Sequence, residues 1–325
     1  MNRNVAGIPG HGIDRNVANH PTPPWKQTKG QSTVGLPRLN SQQFDRFHDF
    51  IYKKSGIHID KNKITLLSNR IRRRVNAGGY DDFDDYYRVL TSTAGADELA
   101  GFLDAITTNE TYFFRTQKQF DWLASDWLSE QIARHRAGER KRQLRIWSAG
   151  CSNGSEPYSI AICLAENLFR LRDWSLEVVG TDISAEMLNM ARKGSFNARA
   201  IEEVPEQQQR RYFHPPTENN QRQVRDSIKK LVKFQQHNLM VPLAESSFDC
   251  IFIRNVLIYF DRESKQKVVD NLLNALAFGG YLVVGPSEGI YEMLGGLERV
   301  SPLIYKKVTA TSRTRPTTET RGRNS

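Results

Sequence analysis

The chain has 325 residues, long enough for one large or two modest buried cores without disulfides or a structural metal. Lys plus Arg number 46 against 36 Asp plus Glu, a formal charge of +10 that suits an acidic partner without choosing between nucleic acid, anionic lipid and protein. Cys151, Cys163 and Cys250 lack the paired spacing of a zinc site, and no apolar run suits a membrane span or secretory signal, so the expectation is a metal-free cytoplasmic protein with no membrane insertion.

Residues 1–36 are rich in Asn, Gly, Pro and Thr with no apolar period, which predicts a disordered extension. Residues 37–136 carry apolar side chains at helical spacing: Phe44, Phe47 and Ile51, then Ile64, Leu67, Ile71 and Val75, then Phe83, Tyr86, Tyr87 and Leu90. Ser41 is the expected first N-cap, Gly56 and Gly78-Gly79 are expected stops, and Asp81 restarts the pattern. The prediction is an all-helical N-terminal domain.

Over 137–309 short β-rich runs alternate with helical stretches. LRIWSA precedes a helix from Tyr158, LEVVGTDI one from Ala185 and FDCIFIRN one from Arg262, and GGYLVVG follows. This order predicts an α/β domain built on a doubly wound, mostly parallel sheet. The closing LERVSPLIYKKV reads as a hairpin adding an antiparallel edge. The polar stretch 208–234, with Pro215-Pro216, predicts a small inserted antiparallel β-subdomain. Residues 310–325 read as a disordered basic tail, which holds part of the positive excess.

Chemistry is expected at the first strand's turn. Gly150 and Gly154 bracket a small-residue turn between LRIWSA and a helix, where backbone can approach a ligand at the carboxyl end of a parallel strand. The same residues, Gly150-Cys151-Ser152-Asn153-Gly154, match the G-x-S-x-G elbow of α/β serine hydrolases. That fold needs a histidine after its last core strands, and the last histidine here, His237, precedes two of them. Asp182 ends LEVVGTDI at the spacing of a ribose-binding carboxylate, and an ordinary helix cap explains it equally well.

Five segments together go further. TTNETYFFR (107–115), WSAGCSNGSEPYSIA (147–161), GTDIS (180–184), HNL (237–239) and FIRNVLIYFD (252–261) resemble, in order, signature segments of the CheR-type chemotaxis receptor methyltransferases. The resemblance covers about residues 40–308. It implies a Rossmann-like S-adenosyl-L-methionine domain, a helical N-terminal domain and a small β-insertion. It also implies methylation of glutamates on the cytoplasmic helices of methyl-accepting chemoreceptors, with S-adenosyl-L-homocysteine as the second product.

Position by position, the resemblance implies that Asn109, Thr111 and Arg115 reach the cofactor from the linker. Glu156 and Asp182 would take its methionine and ribose parts, Asn238 and Leu239 its adenine side, and Arg254 and Asn255 the pocket at the next strand's end. Arg115 and Tyr259 would face the methyl group and the acceptor carboxylate. Each also has a plainer reading as a helix acid, an ion pair or core.

The acidic partner implied is the receptor. Arg70, Arg73 and Arg74 fall on one side of the helix NRIRRRV, with Arg72 close by, and suit an acidic helix bundle. A nucleic-acid methyltransferase is the alternative, with Tyr112-Phe113-Phe114 as stacking residues; their place between the domains favours buried packing. Family members that dock on a receptor's C-terminal tether have a glycine-containing loop in the insertion. Residues 211–234 have none, so tether binding is not expected and the output could be other than motility. A monomer is expected.

Overall fold

Asn40 starts the first helix. Its side chain accepts from the Gln43 backbone N–H while the Gln43 side chain accepts from the Asn40 N–H, a reciprocal capping box that opens α1 (Ser41–Ser55). Ser41, the expected cap, is instead the first helical residue; of two adjacent capping residues, the one three places ahead of a glutamine closes the box. The computed structural model describes residues 36–107, 109–245 and 247–308. All but the last residue of the extension predicted over 1–36, and the whole tail predicted over 310–325, lie outside the described residues.

The bundle continues through α2 (Ile64–Gly78), α3 (Phe83–Thr91) and α4 (Ala96–Ile106). Gly56 and Gly79 close α1 and α2 in left-handed backbone, as expected, whereas α3 is capped by Asp82 rather than Asp81. Phe44, Phe47, Ile51, Leu67, Ile71, Val75 and Tyr86 meet Phe102 in one buried cluster. Burying each of the larger side chains contributes roughly 2–3 kcal/mol, which is what holds four short helices together.

Helical spacing does not say which core a helix joins. The sequence groups 117–136 with the bundle; in the structure α5 (Gln117–Trp122) runs through a π-helical stretch, Leu123–Trp127, into α6 (Leu128–Arg136) and packs elsewhere. Phe120, Leu123, Trp127 and Leu128 share a cluster with the strand residues Leu144, Ile146, Cys250 and Phe252.

The second unit alternates β1 (Gln143–Ala149), α7 (Ser155–Glu166), β2 (Ser175–Asp182) and α8 (Ala185–Lys193). After an excursion come β3 (Ser195–Asn197), α9 (Glu206–Tyr212), β4 (Gln221–Gln223), α10 (Asp226–Lys229) and β5 (Val232–Gln236). The chain ends in β6 (Phe248–Ile253), α11 (Arg262–Ala275), β7 (Leu276–Val284), β8 (Glu298–Ser301) and β9 (Ile304–Lys306).

One seven-stranded sheet has the order β5-β2-β1-β6-β7-β9-β8, parallel from β5 to β7 with an antiparallel β8–β9 hairpin at the edge. This is the doubly wound fold expected. Alternate residues explain the near-continuous apolar strands: Ile146, Cys250 and Phe252 face α7 and α5–α6, while Trp147, Ile251 and Ile253 face the α11 side. The order reverses between β1 and β6, which opens a crevice at their carboxyl ends.

The insertion differs from its predicted span. β3 pairs with β4 antiparallel, with a bridge from Phe213 to Val224, so its first strand lies upstream of 208. Val232–Gln236 pairs parallel with β2 in the main sheet. Three-residue strands are too short to show a period, and Val232 and Phe234 alternate as any edge strand would.

Candidate cofactor and acceptor site

The crevice is shaped first by Gly150. Its φ is +76°, and a Cβ there would lie 2.5 Å from Val256 Cγ2, so neither the backbone nor the space admits a side chain. The Gly150 and Cys151 N–H groups both donate to the Thr181 carbonyl at 2.8 Å, tying the turn after β1 to the end of β2.

Asp182 holds the same turn. Its Oδ2 accepts from Ser152 N–H at 2.8 Å and its Oδ1 from Ser184 N–H at 2.9 Å. The capping of α8 falls to Ser184, whose hydroxyl accepts from Met187 N–H, so the plain reading of Asp182 as a cap is excluded. Burial pushes the Asp182 carboxyl above its ordinary value, against the N–H groups of Ser184, Ser152 and Ile183 that favour the charged form.

Glu156 and Arg254 form a buried pair beneath the opposite wall. Glu156, in the first turn of α7, accepts from Ser148 Oγ at 2.7 Å and from Arg254 Nη1 at 3.0 Å. The other Arg254 nitrogen donates to the Arg115 carbonyl and, at 2.9 Å, to Thr116 Oγ1. Phe114 and Thr116 take positive φ values of 54° and 64°, so Arg254 pins a bent linker.

The aromatic run leading into this bend is split between core and surface. Phe113 and Phe114 are buried in the α/β core, and only Tyr112 is exposed, with the Arg115 guanidinium over its ring. Two of the three residues offered as a nucleic-acid stacking platform are thus unavailable for it. The hydrolase reading also fails locally: the Ser152 hydroxyl donates to the Asn109 carbonyl at 3.4 Å, and no histidine among the described residues bonds it.

The helical bundle closes the crevice. Ile57 bridges Phe260, His58 N–H donates to the Tyr259 carbonyl at 2.9 Å, and the Asn238 side chain donates to the Lys54 carbonyl at 2.8 Å. The result is one solvent-open cleft of about 1360 Å³. Glu156, Asp182, Asn238, Leu239, Arg254 and Asn255 line its α/β side, Asn109, Thr111 and Arg115 come from the linker, and Tyr259 and Arg70 face it as well.

The other arginines of α2 diverge. Arg73 is exposed, and Arg72 donates to Asn69 Oδ1 and the Pro37 carbonyl. Arg74, expected on the receptor-facing side, instead makes a two-nitrogen ion pair with Glu98 inside the bundle, shared with the Tyr86 hydroxyl. Helical spacing set Arg74 beside Arg70 but could not show that α4 lays an acid against it. Sequence reasoning also passed over Glu288, a buried carboxylate behind the cleft wall, because no spacing marks it.

Residues 42–107 match the all-alpha domain of CheR methyltransferases, and residues 109–301 match the CheR methyltransferase SAM binding domain. Chemotaxis protein methyltransferase 2 of Vibrio cholerae is 34% identical over 273 residues, covering 83% of this chain and 90% of the relative. The chemotaxis protein methyltransferase of Borreliella burgdorferi is 33% identical over 273 residues, covering 83% of this chain and 95% of its own. That of Escherichia coli is 35% identical over 255 residues, covering 77% and 85%. With both of its domains matched and relatives alike over most of their length, this chain belongs to the CheR methyltransferase family.

Proposed function

We propose that the protein methylates glutamate side chains on the cytoplasmic helices of chemoreceptors, and that the cleft between bundle and sheet is where it does so. Its family makes it an S-adenosyl-L-methionine-dependent methyltransferase of the chemotaxis system. The observation that carries the site assignment is that the linker, both strand ends and Tyr259 open onto one cleft.

The residues fit the cofactor. Both Asp182 oxygens accept backbone N–H groups, Oδ2 from Ser152 and Oδ1 from Ser184, and the carboxylate lines the cleft, where a remaining lone pair would take a ribose hydroxyl. Gly150 leaves the backbone bare under Val256, and Leu239 and Val256 offer apolar contact to an adenine. His237 lines the same end with its Nε2 buried and without a hydrogen-bond partner, and burial lowers its pKa, which favours the neutral ring. Asn109, Thr111, Glu156, Asn238, Arg254 and Asn255 complete the proposed shell.

When bound, the cofactor supplies an electrophilic methyl group on a sulfonium. A glutamate is ionised at neutral pH, so the protein needs no general base. Its work is alignment, worth up to roughly 7–11 kcal/mol in well-oriented cases. We assign Arg115 to grip the acceptor carboxylate and Tyr259 to orient it by a hydrogen bond. Arg254 holds the Arg115 backbone in place, and its own charge is spent on Glu156.

The acidic receptor helix meets α2 through Arg70, Arg72 and Arg73; Arg74 is left to the bundle. The β3–β4 insertion has no glycine in its loop, and we propose that it does not take a receptor tether. We further propose a cytoplasmic monomer; its three cysteines are free and buried, and no helix among the described residues is long and apolar enough to cross a membrane. Light scattering of the purified protein tests the monomer. The reaction is tested with labelled S-adenosyl-L-methionine and receptor-bearing membranes. Base-labile label on the receptor supports the proposal; label in nucleic acid, or none on any receptor, rejects it.

A further inference from the structure

Glu288 lies in the loop after β7 with no exposed surface. A carboxylate so buried needs partners in the protein, and those it has are backbone amides. Asn255 N–H donates to Oε1, while Val256 and Leu257 donate to Oε2 at 3.3 and 2.8 Å. Three successive amides of the turn leaving β6 therefore converge on one side chain that does not itself line the cleft.

Asn255 sits in the left-handed region with a φ of +57°, which asparagine tolerates better than other residues with a side chain but which still narrows the turn to one conformation. Val256, the next residue, occupies the space that Gly150 leaves empty. The following short helix, Leu257–Tyr259, ends in the residue assigned to the acceptor. Gly285 makes room behind: a Cβ there would collide with Glu288 Oε1 and come within 3.1 Å of the Asn255 nitrogen.

We propose that Glu288 is a positioning residue for methyl transfer: by gathering the amides of Asn255, Val256 and Leu257 it fixes the cleft floor beside Gly150 and the short helix that presents Tyr259. This rests on the reading of the cleft as the cofactor site. Ionisation suits the role, because a carboxylate only accepts, whereas a glutamine would turn an NH2 toward the same N–H groups. Burial raises the Glu288 carboxyl, opposed by the three amides and by the Lys265 charge.

The test compares wild type with Glu288→Gln. S-adenosyl-L-homocysteine binding is followed by calorimetry, and backbone exchange of residues 255–257 is measured without ligand. The expected result is binding weakened about tenfold or more, the loss of at least one charge-assisted hydrogen bond, with faster exchange confined to that turn. Adding Val256→Ala should weaken binding by less than the two single losses combined, because both act through the same turn. If Glu288→Gln does not fold, Gly285→Ala, which keeps the charge but crowds it, carries the same two readouts. Binding within twofold of wild type and unchanged exchange overturn the proposal. A wild-type protein that fails to bind the ligand overturns the cofactor reading, and this inference with it.

Discussion

Arg254 binds the Glu156 carboxylate at 3.0 Å with one guanidinium nitrogen and the Arg115 carbonyl with another, so the wall of the proposed cofactor cleft and the linker between domains share one buried cation. The two side chains are only 3% and 12% exposed. Removing one partner of such a pair leaves an uncompensated charge, at a cost of about 3–5 kcal/mol. Arg254→Met is therefore expected to lower the thermal midpoint strongly, and adding Glu156→Gln is expected to recover part of it, as read by calorimetric melting.

Arg74 and Arg73 separate stability from recognition. Arg74 is paired in the bundle with Glu98, which also accepts from the Tyr86 hydroxyl, so Arg74→Ala should cost roughly 1–3 kcal/mol in denaturant unfolding. Arg73 is exposed. Arg73→Glu should leave stability within about 0.5 kcal/mol, while weakening receptor methylation and flattening its salt dependence. Equal effects of the two changes on methylation at matched stability would reject this division.

Asp182 predicts opposite pH trends for stability and binding. Its carboxyl is raised mainly by desolvation, so the folded protein holds that proton more tightly than the unfolded chain. Between the ordinary carboxylate value and the raised one, stability falls as pH rises; above both it is flat. Asp182→Asn should reduce this slope; Glu288, raised in the same direction, contributes with the same sign, and Asp84, Glu177 and Asp261, all lowered, with the opposite one. S-adenosyl-L-homocysteine binding should weaken in wild type as pH falls through the same window and lose that step in the variant.

Gly150 tests the close approach. Gly150→Ala sets a methyl against Val256 at a φ of +76°, and should cost more than about 1 kcal/mol of stability together with cofactor affinity. Val256→Ala in the same chain removes the collision but not the strained φ, so it should restore only part of the affinity. Full restoration would show that sterics alone set the site.

Local signals explain what the sequence made legible. Phe47 and Ile71 repeat at helical spacing, and Ile146 and Trp147 alternate between two covered faces of a sheet, so helices and strands could be read from period alone. The five resembling segments brought the cleft residues together because each sits at a strand end or on the linker. Long-range choices were not legible. Nothing near Trp127 says that it joins the sheet core rather than the bundle, and nothing near Arg74 says that Glu98 lies opposite. Glu288 sits in an unremarkable loop and gains its meaning only from amides brought to it by β6.

The central claim, that Arg115 and Tyr259 orient the acceptor in this cleft, is tested most directly by methyl-ester formation with Arg115→Ala at saturating cofactor and receptor. Misplacing the acceptor carboxylate costs on the order of a hundredfold in rate. A loss of that size in turnover is expected, with the protein folded and S-adenosyl-L-homocysteine affinity lowered by far less. Full turnover with unchanged affinity would contradict it.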